Sequence, residues 1–393
     1  MHIGWLAAIG VVLVGPVGLA PGLAAQRVEK VSDDASLRAA IREARPGTRI
    51  AIAAGRFQPG VFVRNLRGTA AEPIAIEGAD LKNPPLFEGG SVAWQLSDCE
   101  YVTLRNLSVR GQRQNGINID DGGTFDTPAH HITLEDLRVA EIGPTGNFDG
   151  IKMSGVDDFV VRCSTVEGWG GQAIDMVGCH RGLIEDCTFR GREGFSQDTG
   201  PQTKGGSSEI TIRRCLFLGA GGRAVQLGGS TGMNFFRPKG ARYEAKDIRV
   251  EGCTFVGSDA PVAFTGVDGA TFRYNTIYRP TRWVLRILQE TTAPGFAACR
   301  NGRFEHNLIV FRRSQLNAFV NVGPNTRPET FTFADNWWFC EDRPEASRPQ
   351  LPAAETGGVY GIDPKLAAPD RNQFQAQDPK AARFGASAWK AEK

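Results

Sequence analysis

The sequence carries almost no net charge. Its 45 lysines and arginines are balanced by 43 aspartates and glutamates over 393 residues, which leaves +2 at pH 7. A chain with so little charge of one sign has no overall field that would draw it to nucleic acid or to an anionic membrane surface. Beyond residue 26 it also lacks the roughly 20 continuous apolar residues that cross a bilayer. We therefore expect no nucleic-acid partner and no membrane span after the N-terminal segment.

One apolar run does occur, at the N-terminus, in MHIGWLAAIGVVLVGPVGLAPGLAAQ. Its length and the small residues at its end are typical of a signal peptide, although the segment before the apolar run has His2 and no lysine or arginine. We predict a signal peptide over residues 1–25, cleaved after Ala25 or Ala24. The protein would then be exported, either secreted or periplasmic. An uncleaved N-terminal anchor is the alternative.

Helix-type apolar periodicity is scarce after residue 50, and 48 glycines disfavour long helices. Instead, a short alternation of apolar and polar residues recurs nine times, from VTLRNLSV at 102–109 to FTFADNWW at 331–338. Neighbouring copies lie 22 to 38 residues apart, and the shortest interval is typical of one coil of a wide parallel β-solenoid. Because each coil buries its apolar face only against its neighbours, we predict one all-β solenoid domain over residues 26–365.

Each copy also carries Asn, Asp or Cys at one position, where stacking would create an internal ladder at a spacing of about 4.8 Å. The predicted members are Asn106, Asp136, Cys163, Cys187, Cys215, Cys253, Asn275, Asn307 and Asn336. Four of the eight cysteines would thus be small core residues rather than a disulfide framework. Whether Cys299 and Cys340, in irregular segments, pair with each other stays open. No Cys and His spacing is typical of a zinc site.

The two ends of the predicted solenoid differ. SDDASLRAAIREARPG predicts an amphipathic helix over about residues 34–45, capped by Ser32 or Asp33 and ended by Gly47. Such a helix would cover the open end, which otherwise exposes strand edges and core. The tail at 366–393 is polar with weak periodicity, and we expect it to wrap around the domain or to fray.

Two segments resemble the chondroitinase B and alginate lyase family of polysaccharide lyases. They are PGTRIAIAAGRF, after the predicted helix, and KGGSSEITIRRCLF, whose Lys204 corresponds to the lysine of a Lys-Ser-Ser segment that runs into a strand. The resemblance implies a right-handed parallel β-helix and an exported lyase that cleaves an acidic, uronate-containing glycan by β-elimination. Where the family has a catalytic arginine this chain has Gln226 or Leu227, and Arg223 stands three or four places earlier.

A second short strand follows most of the ladder positions, and its outward residues form one column when the apolar flanks are aligned. The predicted column reads Asn118, Lys152, Asp175, Lys204, Gln226, Ala263 and Arg286, with Asp149, Gln172, Arg223 and Arg282 some two places earlier. Insertions fall before Lys152 and Lys204 and after Gln226 and Arg286. Because long loops on a rigid scaffold carry binding groups, these predict the walls of a groove over the column.

The roles follow from the chemistry of β-elimination, which needs a group that neutralises the uronate carboxylate and a base for the adjacent proton. We predict Lys204 as the base, because neighbouring cations such as Lys152 or Arg223 would favour its neutral form. Arg223 would neutralise the carboxylate or assist the leaving oxygen. Lys152 is the third catalytic candidate, and it would also hold an adjacent sugar. The predicted substrate-binding residues are Gln226, Arg286, Arg282, Asn118 and His180.

Calcium is the one candidate cofactor, with Asp149, Asp175 and Asp198 as possible oxygen ligands. No calcium loop of fixed spacing is present, and a turn aspartate that bonds its own backbone is the ordinary role for Asp198. The expected partner is an acidic polysaccharide, and the chain is expected to act as a monomer.

Three other functions stay open on the same fold. Glycoside hydrolysis would use two carboxylates, for which Asp149 and Asp175 are candidates. The aspartate-pair and Gly-His-Gly motifs of the pectin hydrolases are absent, as is the Asp-Pro-His-Asp motif of the alginate C5-epimerases. The third alternative is a non-catalytic protein that binds glycan or belongs to a cell-surface assembly.

Overall fold

The computed structural model describes residues 27–391. The predicted signal peptide and its cleavage sites at Ala24 and Ala25 lie outside the described residues. From residue 27 onward the chain forms three long sheets, and in each coil it passes through the first, second and third sheet in that order. All strand pairs in these three sheets are parallel, so the solenoid predicted from the repeat is confirmed.

The strands have the following bounds. The first sheet contains Arg27–Val31, Thr48–Ile52, Ile74–Gly78, Glu100–Arg105, Ala129–Glu135, Val160–Arg162, Leu183–Glu185, Thr211–Arg213, Ala245–Glu251, Val267–Arg273, Arg300–Glu305, Thr332–Ala334 and Glu355–Thr356, with Val156–Asp157 and Ser207–Ser208 as short side pairings. The second contains Arg56–Phe57, Leu86–Glu88, Ser108–Arg110, Arg138–Ile142, Thr165–Trp169, Thr188–Arg190, Leu216–Leu218, Thr254–Val256, Thr276–Tyr278, Leu308–Phe311, Trp337–Cys340 and Val359–Tyr360. The third contains Val61–Arg64, Trp94–Ser97, Ile117–Asp120, Ile151–Ser154, Gln172–Val177, Thr199–Lys204, Arg223–Gly228, Ala260–Thr265, Leu285–Leu288 and Val320–Val322.

The internal ladder lies at the corner between the first and second sheets. It is confirmed for Cys187, Cys215, Cys253, Asn275, Asn307 and Asn336, which are all buried. Each asparagine accepts a backbone N–H from the preceding coil; the Asn307 side chain, for example, accepts from the N–H of Asn275 at 2.9 Å. Its amide nitrogen donates to the carbonyl of Phe272 at 3.1 Å. The ladder thus pairs buried backbone groups that would otherwise be costly to leave unpaired.

The ladder prediction was wrong by one residue in three early coils. There Asn106, Asp136 and Cys163 adopt left-handed backbone angles, with φ of 51 to 54°, and the residue that follows each of them is buried at the ladder position. Asn106 is itself buried, and its amide donates to the carbonyl of Gly78 at 3.0 Å. In the later coils a different residue takes the left-handed position, as His306 does with φ of 54° before Asn307. Asparagine and aspartate tolerate this conformation well. The same residue types can therefore occupy either the left-handed corner or the inward ladder position that follows it.

This correction predicts the reactivity of the thiols. All eight cysteines are free, and Cys163 is exposed while the other seven are buried. We expect the native protein to react with a thiol reagent at one site at mildly alkaline pH, since burial somewhat raises the pKa of Cys163. All eight should react after denaturation, and Cys163→Ser should remove the native reaction. Reaction of several thiols before unfolding would contradict the assignment.

The predicted N-terminal helix is present at Asp34–Glu43, two residues shorter than expected. Asp33 caps it by accepting a hydrogen bond from the N–H of Ser36 at 2.9 Å. Its buried face, which includes Leu37 and Ile41, packs on the first coil of the solenoid.

The tail wraps rather than frays over most of its described length. It forms an antiparallel pair, Leu366–Ala368 with Gln373–Ala376, and short 3₁₀ turns. Phe374 packs on Tyr278 with ring centroids 5.2 Å apart. From Leu216 onward the outward side of the second sheet is largely apolar, and the tail covers part of that face.

The outer face of the first sheet carries an alternating charge ladder that the sequence analysis missed. Neighbouring coils align Glu77, Arg105, Glu135, Arg162, Glu185, Arg213, Glu251, Arg273 and Glu305 in strict register. Representative contacts are Arg162 to Glu135 at 3.0 Å and Arg213 to Glu185 at 2.8 Å. This ladder could have been read from the sequence, because the residue before the left-handed corner alternates between arginine and glutamate from coil to coil.

Candidate active site

The column on the outer face of the third sheet exists, with one change from the predicted alignment. Its register reads Gln95, Asn118, Lys152, Asp175, Gln202, Gln226, Ala263, Arg286 and Asn321. Gln202 stands where Lys204 was predicted, and Lys204 pairs with Val177 instead. The other strands were aligned by their apolar inward residues. In this strand the inward residues are Pro201 and Thr203, so the apolar pattern that fixes the alignment is missing.

Lys204 nevertheless points to the same outer face, because side chains two residues apart on a strand share a side. Its ammonium lies 3.0 Å from Oδ1 of Asp175, and its side chain is 13% exposed. The two groups form an ion pair, but their geometry is not that of a hydrogen bond. Oδ1 of Asp175 is therefore a buried acceptor without a hydrogen-bond donor. Both cations that we expected near Lys204 are close to it, since Lys152 shares Asp175 with it and Arg223 lines the same cavity. Its direct contact, however, is a carboxylate.

The two glycines after Lys204 do not open space for a ligand. They form a turn with φ of 63° and 92°, and the chain itself fills the space beside them. Gly205 donates its N–H to Oε2 of Glu244 at 2.9 Å, and its carbonyl accepts the N–H of Arg237 at 3.0 Å. The fully buried Glu244 also accepts hydrogen bonds from Thr231 and Thr291. This carboxylate thus ties two loops to the turn that follows Lys204.

Lys152 lies between two carboxylates that are 0% exposed. Its Nζ is 3.2 Å from Asp149 and 2.5 Å from Asp175. Burial opposes its charge, yet Asp175 and Asp149 together raise the pKa of Lys152 above its ordinary range. Burial and the neighbouring Asp175 raise the pKa of Asp149 as well. Lys152 is therefore a paired cation that holds this cluster together.

A polar cavity of about 510 Å³ lies beside this cluster. Its lining consists of Gln172, Ser196, Asp198, Thr199, Gln202, Lys204, Gly222, Arg223, Gln226, Ser230 and Glu290. Arg223 donates to Oε1 of Gln226 at 2.7 Å and pairs with Glu290 at 3.0 Å. The insertions before Lys204 and after Gln226 and Arg286 supply wall residues, as predicted. The insertion before Lys152 supplies none.

Two groups in the cavity have properties that a ligand could satisfy. Gln172 is 8% exposed, and its buried Oε1 has no hydrogen-bond partner. A buried polar atom of this kind is costly unless something donates to it. Burial raises the pKa of Asp198, although Arg223 opposes the shift. The cavity therefore offers an unused acceptor beside a lysine and an arginine.

The other predicted substrate-binding residues lie outside the cavity lining. Asn118 neighbours Lys152 in the column and accepts from Asn115 at 2.9 Å. His180 lies by the first sheet, 2.9 Å from the Ser208 hydroxyl, and burial lowers its pKa. It is therefore on a different side of the coil from the predicted site, because the chain turns into the first sheet just after Gly178.

The arginines after Gln226 lie further along the same flank. Arg282 pairs with Asp259 at 3.3 Å. Arg286 occupies its predicted place in the column, two coils beyond Gln226.

Two of the three residues proposed for calcium, Asp149 and Asp175, already share a lysine as their cation. Lys152 already binds both Asp149 and Asp175, where a cation would have to sit. Between residues 27 and 391, no group of three or more His, Cys, Asp or Glu side chains is placed to hold a metal ion. Calcium binding therefore stays an untested expectation, and no chemical step below depends on it.

Comparisons with known proteins bear on the fold. Residues 94–239 match the family model described as right handed beta helix region. The chain is a right-handed parallel β-helix. Among solved β-helices, an alginate lyase from Paenibacillus sp. str. FPU-7 is 18% identical with a TM-score of 0.52, over 77% of this chain and 97% of the other. The pectate lyase Pel9A is 12% identical with a TM-score of 0.54, over 95% and 89%.

These likenesses concern the β-helix itself. No curated protein is significantly similar to this chain in sequence. Over residues 27–391, no helix is both long and apolar enough to span a membrane.

Several residues of the cavity escaped the sequence analysis. Gln202 was hidden by the register error at Lys204. Ser196, Ser230 and Glu290 lie in the insertions that were predicted to wall the groove, but nothing in those segments showed which side chains point inward. Glu244, which binds the turn after Lys204 rather than lining the cavity, also had no distinguishing signal, since it is one glutamate in a polar insertion.

Proposed function

We propose that this β-helix is an exported polysaccharide lyase that cleaves a uronate-containing glycan by β-elimination. One observation carries the proposal: Lys204 and Arg223 line the same polar cavity, on a flank walled by three loops. A basic group and a carboxylate-binding group side by side are what this reaction requires. Bidentate binding of a carboxylate is a particular strength of arginine.

In the proposed reaction the uronate carboxylate binds Arg223, which lowers the cost of removing the proton from C5. Lys204 accepts that proton, a double bond forms between C4 and C5, and the bond from C4 to the glycosidic oxygen breaks. The Lys204 ammonium then returns its proton, directly or through water, to the leaving oxygen. One chain thus yields an unsaturated end and a new hydroxyl end, and the amine is regenerated. Gln202 and Gln226 would hold sugar hydroxyls, and Gln172 would accept from one of them.

Lys204 serves as a base only when it is neutral, and it acts beside the buried cluster of Asp149, Lys152 and Asp175. Burial makes Asp149 hold a proton more readily than an exposed aspartate does. Lys152 is held by Asp149 and Asp175, and it does not line the cavity. Lys152 would thus support the base rather than contact the substrate.

The test is incubation with a panel of polyuronates, monitored by the ultraviolet absorbance of the C4–C5 double bond. Polymannuronate, polyguluronate and polygalacturonate come first, since the β-helix likeness includes an alginate lyase and a pectate lyase. We expect absorbance to grow with at least one of them. New reducing ends without absorbance would indicate hydrolysis, and a changed sugar in an uncut chain would indicate epimerisation. Binding with none of these changes would leave a non-catalytic glycan-binding protein.

The metal question has its own test. Because Lys152 occupies the place between the two buried carboxylates, we expect prolonged treatment with a chelator to leave the rate of absorbance increase unchanged. The measurement compares treated enzyme with enzyme that has been treated and then supplied with calcium. A rate that falls and is restored by calcium would show that a metal takes part.

A further inference from the structure

Arg286 differs from the other cations of this flank in having no acidic partner. Its Nε donates to Oδ1 of Asn321 at 2.9 Å, and its guanidinium lies 4.4 Å from the ring centroid of Trp283. Both partners are neutral. Across residues 27–391, no carboxylate lies within ion-pair distance of it; Glu290 and Asp259 act on it only from further away.

The neighbouring cations make the contrast clear. Arg282 stacks on the same Trp283 ring, also at 4.4 Å, but it is paired with Asp259. Arg223 is paired with Glu290, and Lys204 with Asp175. Arg286 is the half-buried member of this group whose charge is not balanced by a direct contact.

An unbalanced, half-buried cation is energetically unfavourable, since buried charges are normally paired. Burial lowers the pKa of Arg286, and the charges of Arg223 and Arg282 lower it further. The protein nevertheless orients this guanidinium, between the Trp283 ring and Asn321. A fixed cation without a partner is suited to an anion that arrives with a ligand.

We infer that Arg286 is a second anion-binding subsite, which takes the carboxylate of another uronate in the same glycan chain. Two strand spacings separate it from Gln226 in the column, or about 10 Å between backbones. A uronate bound at Arg223 therefore leaves Arg286 available for the acidic group of a further sugar along the column. The ligand would therefore be an oligomer with acidic groups on at least two sugars, lying along the column.

This inference rests on the proposed polyuronate ligand but not on the elimination chemistry. It can be tested by affinity electrophoresis of the full-length protein in gels that contain polymannuronate, polyguluronate, polygalacturonate or a neutral glucan. Arg286→Gln removes the unpaired charge. Arg282→Gln is the matched control, since it removes a charge that stacks on the same indole but already has a carboxylate partner.

We expect Arg286→Gln to weaken retardation in the polyuronate gel that retards the wild type, by roughly tenfold in apparent Kd, as loss of a charged hydrogen bond does. Arg282→Gln should change it by less than about threefold, and the neutral glucan should retard none of the three. Equal effects of the two substitutions, no effect of Arg286→Gln, or no retardation of the wild type in any polyuronate gel would overturn the inference. Retardation without unsaturated product would refute the lyase proposal and leave the subsite intact.

Discussion

Substituting Lys204 with alanine is expected to reduce formation of the unsaturated product by roughly 10³-fold, the range typical of a lost general base. Lys204 is the lysine whose side chain lines the cavity, two residues beyond the column position of Gln202. The measurement is the initial rate of absorbance increase on whichever polyuronate proves active. The exposed Lys239, in the loop after the strand Arg223–Gly228, offers a matched control, because Lys239→Ala removes a lysine outside the cavity lining.

A folding defect can be separated from a catalytic one in this experiment. Asp175 would keep Lys152 as a partner after the substitution, so we expect the Lys204→Ala protein to unfold at nearly the wild-type temperature. It should also still be retarded in a polyuronate gel. A folded variant that turns substrate over at the wild-type rate would refute the assignment of Lys204 as the base.

Lys152→Met should have the largest effect on stability. It leaves the fully buried Asp149 without its cation, while the equally buried Asp175 keeps only Lys204 as a partner. Removing one partner of a buried ion pair costs about 3–5 kcal/mol. We expect about 3 kcal/mol at neutral pH, toward the lower end because the Lys152 side chain is 30% exposed. Denaturant titration measures the loss, with Lys239→Met as the control at an exposed lysine.

The loss should depend on pH in a defined direction. The pKa of Asp149 is already raised in the folded protein by burial and by Asp175, and removal of Lys152 takes away an opposing charge. A carboxyl group with a raised folded pKa favours the folded state at low pH and disfavours it as the pH rises through that pKa. The stability deficit should therefore be smaller at about pH 5 than at about pH 8.

The double variant Lys152→Met with Asp149→Asn tests the cause. It removes one of the two carboxylates together with the cation, so it should recover a large part of the lost stability and flatten the pH dependence. A deficit of the same size at both pH values, unchanged by the second substitution, would show that packing rather than charge accounts for the effect.

The solenoid could be predicted because its signals are local. Alternating side chains and a corner residue recur in every coil, and short strands need no distant information to be recognised. A purely local signal also explains why the ladder was misplaced by one residue at Asn106, Asp136 and Cys163. The left-handed corner and the inward position next to it accept the same residue types, so the local pattern does not distinguish them. The register error at Lys204 has a similar cause. In this strand Pro201 and Thr203 replace the pair of apolar inward residues that fixes the register in the other coils.

Contacts between loops could not be predicted in this way. Glu244 binds the turn at Gly205 and also Thr231 and Thr291, which are distant in sequence. Glu290 reaches Arg223 from an insertion that follows two coils later. Such contacts depend on how insertions of unequal length fold over the scaffold, and composition does not encode that. For the same reason a charged column could be foreseen, while the pairing of each cation with its carboxylate could not.

The alternation of arginine and glutamate along the first sheet has a consequence for how the domain changes length in evolution. Each coil presents the opposite sign to both of its neighbours, and like charges set directly side by side are destabilising. Duplicating or deleting one unit would therefore bring two arginines or two glutamates together at the junction, whereas adding or removing two would preserve the sequence of signs. Relatives of this protein should differ from it by even numbers of coils within this region.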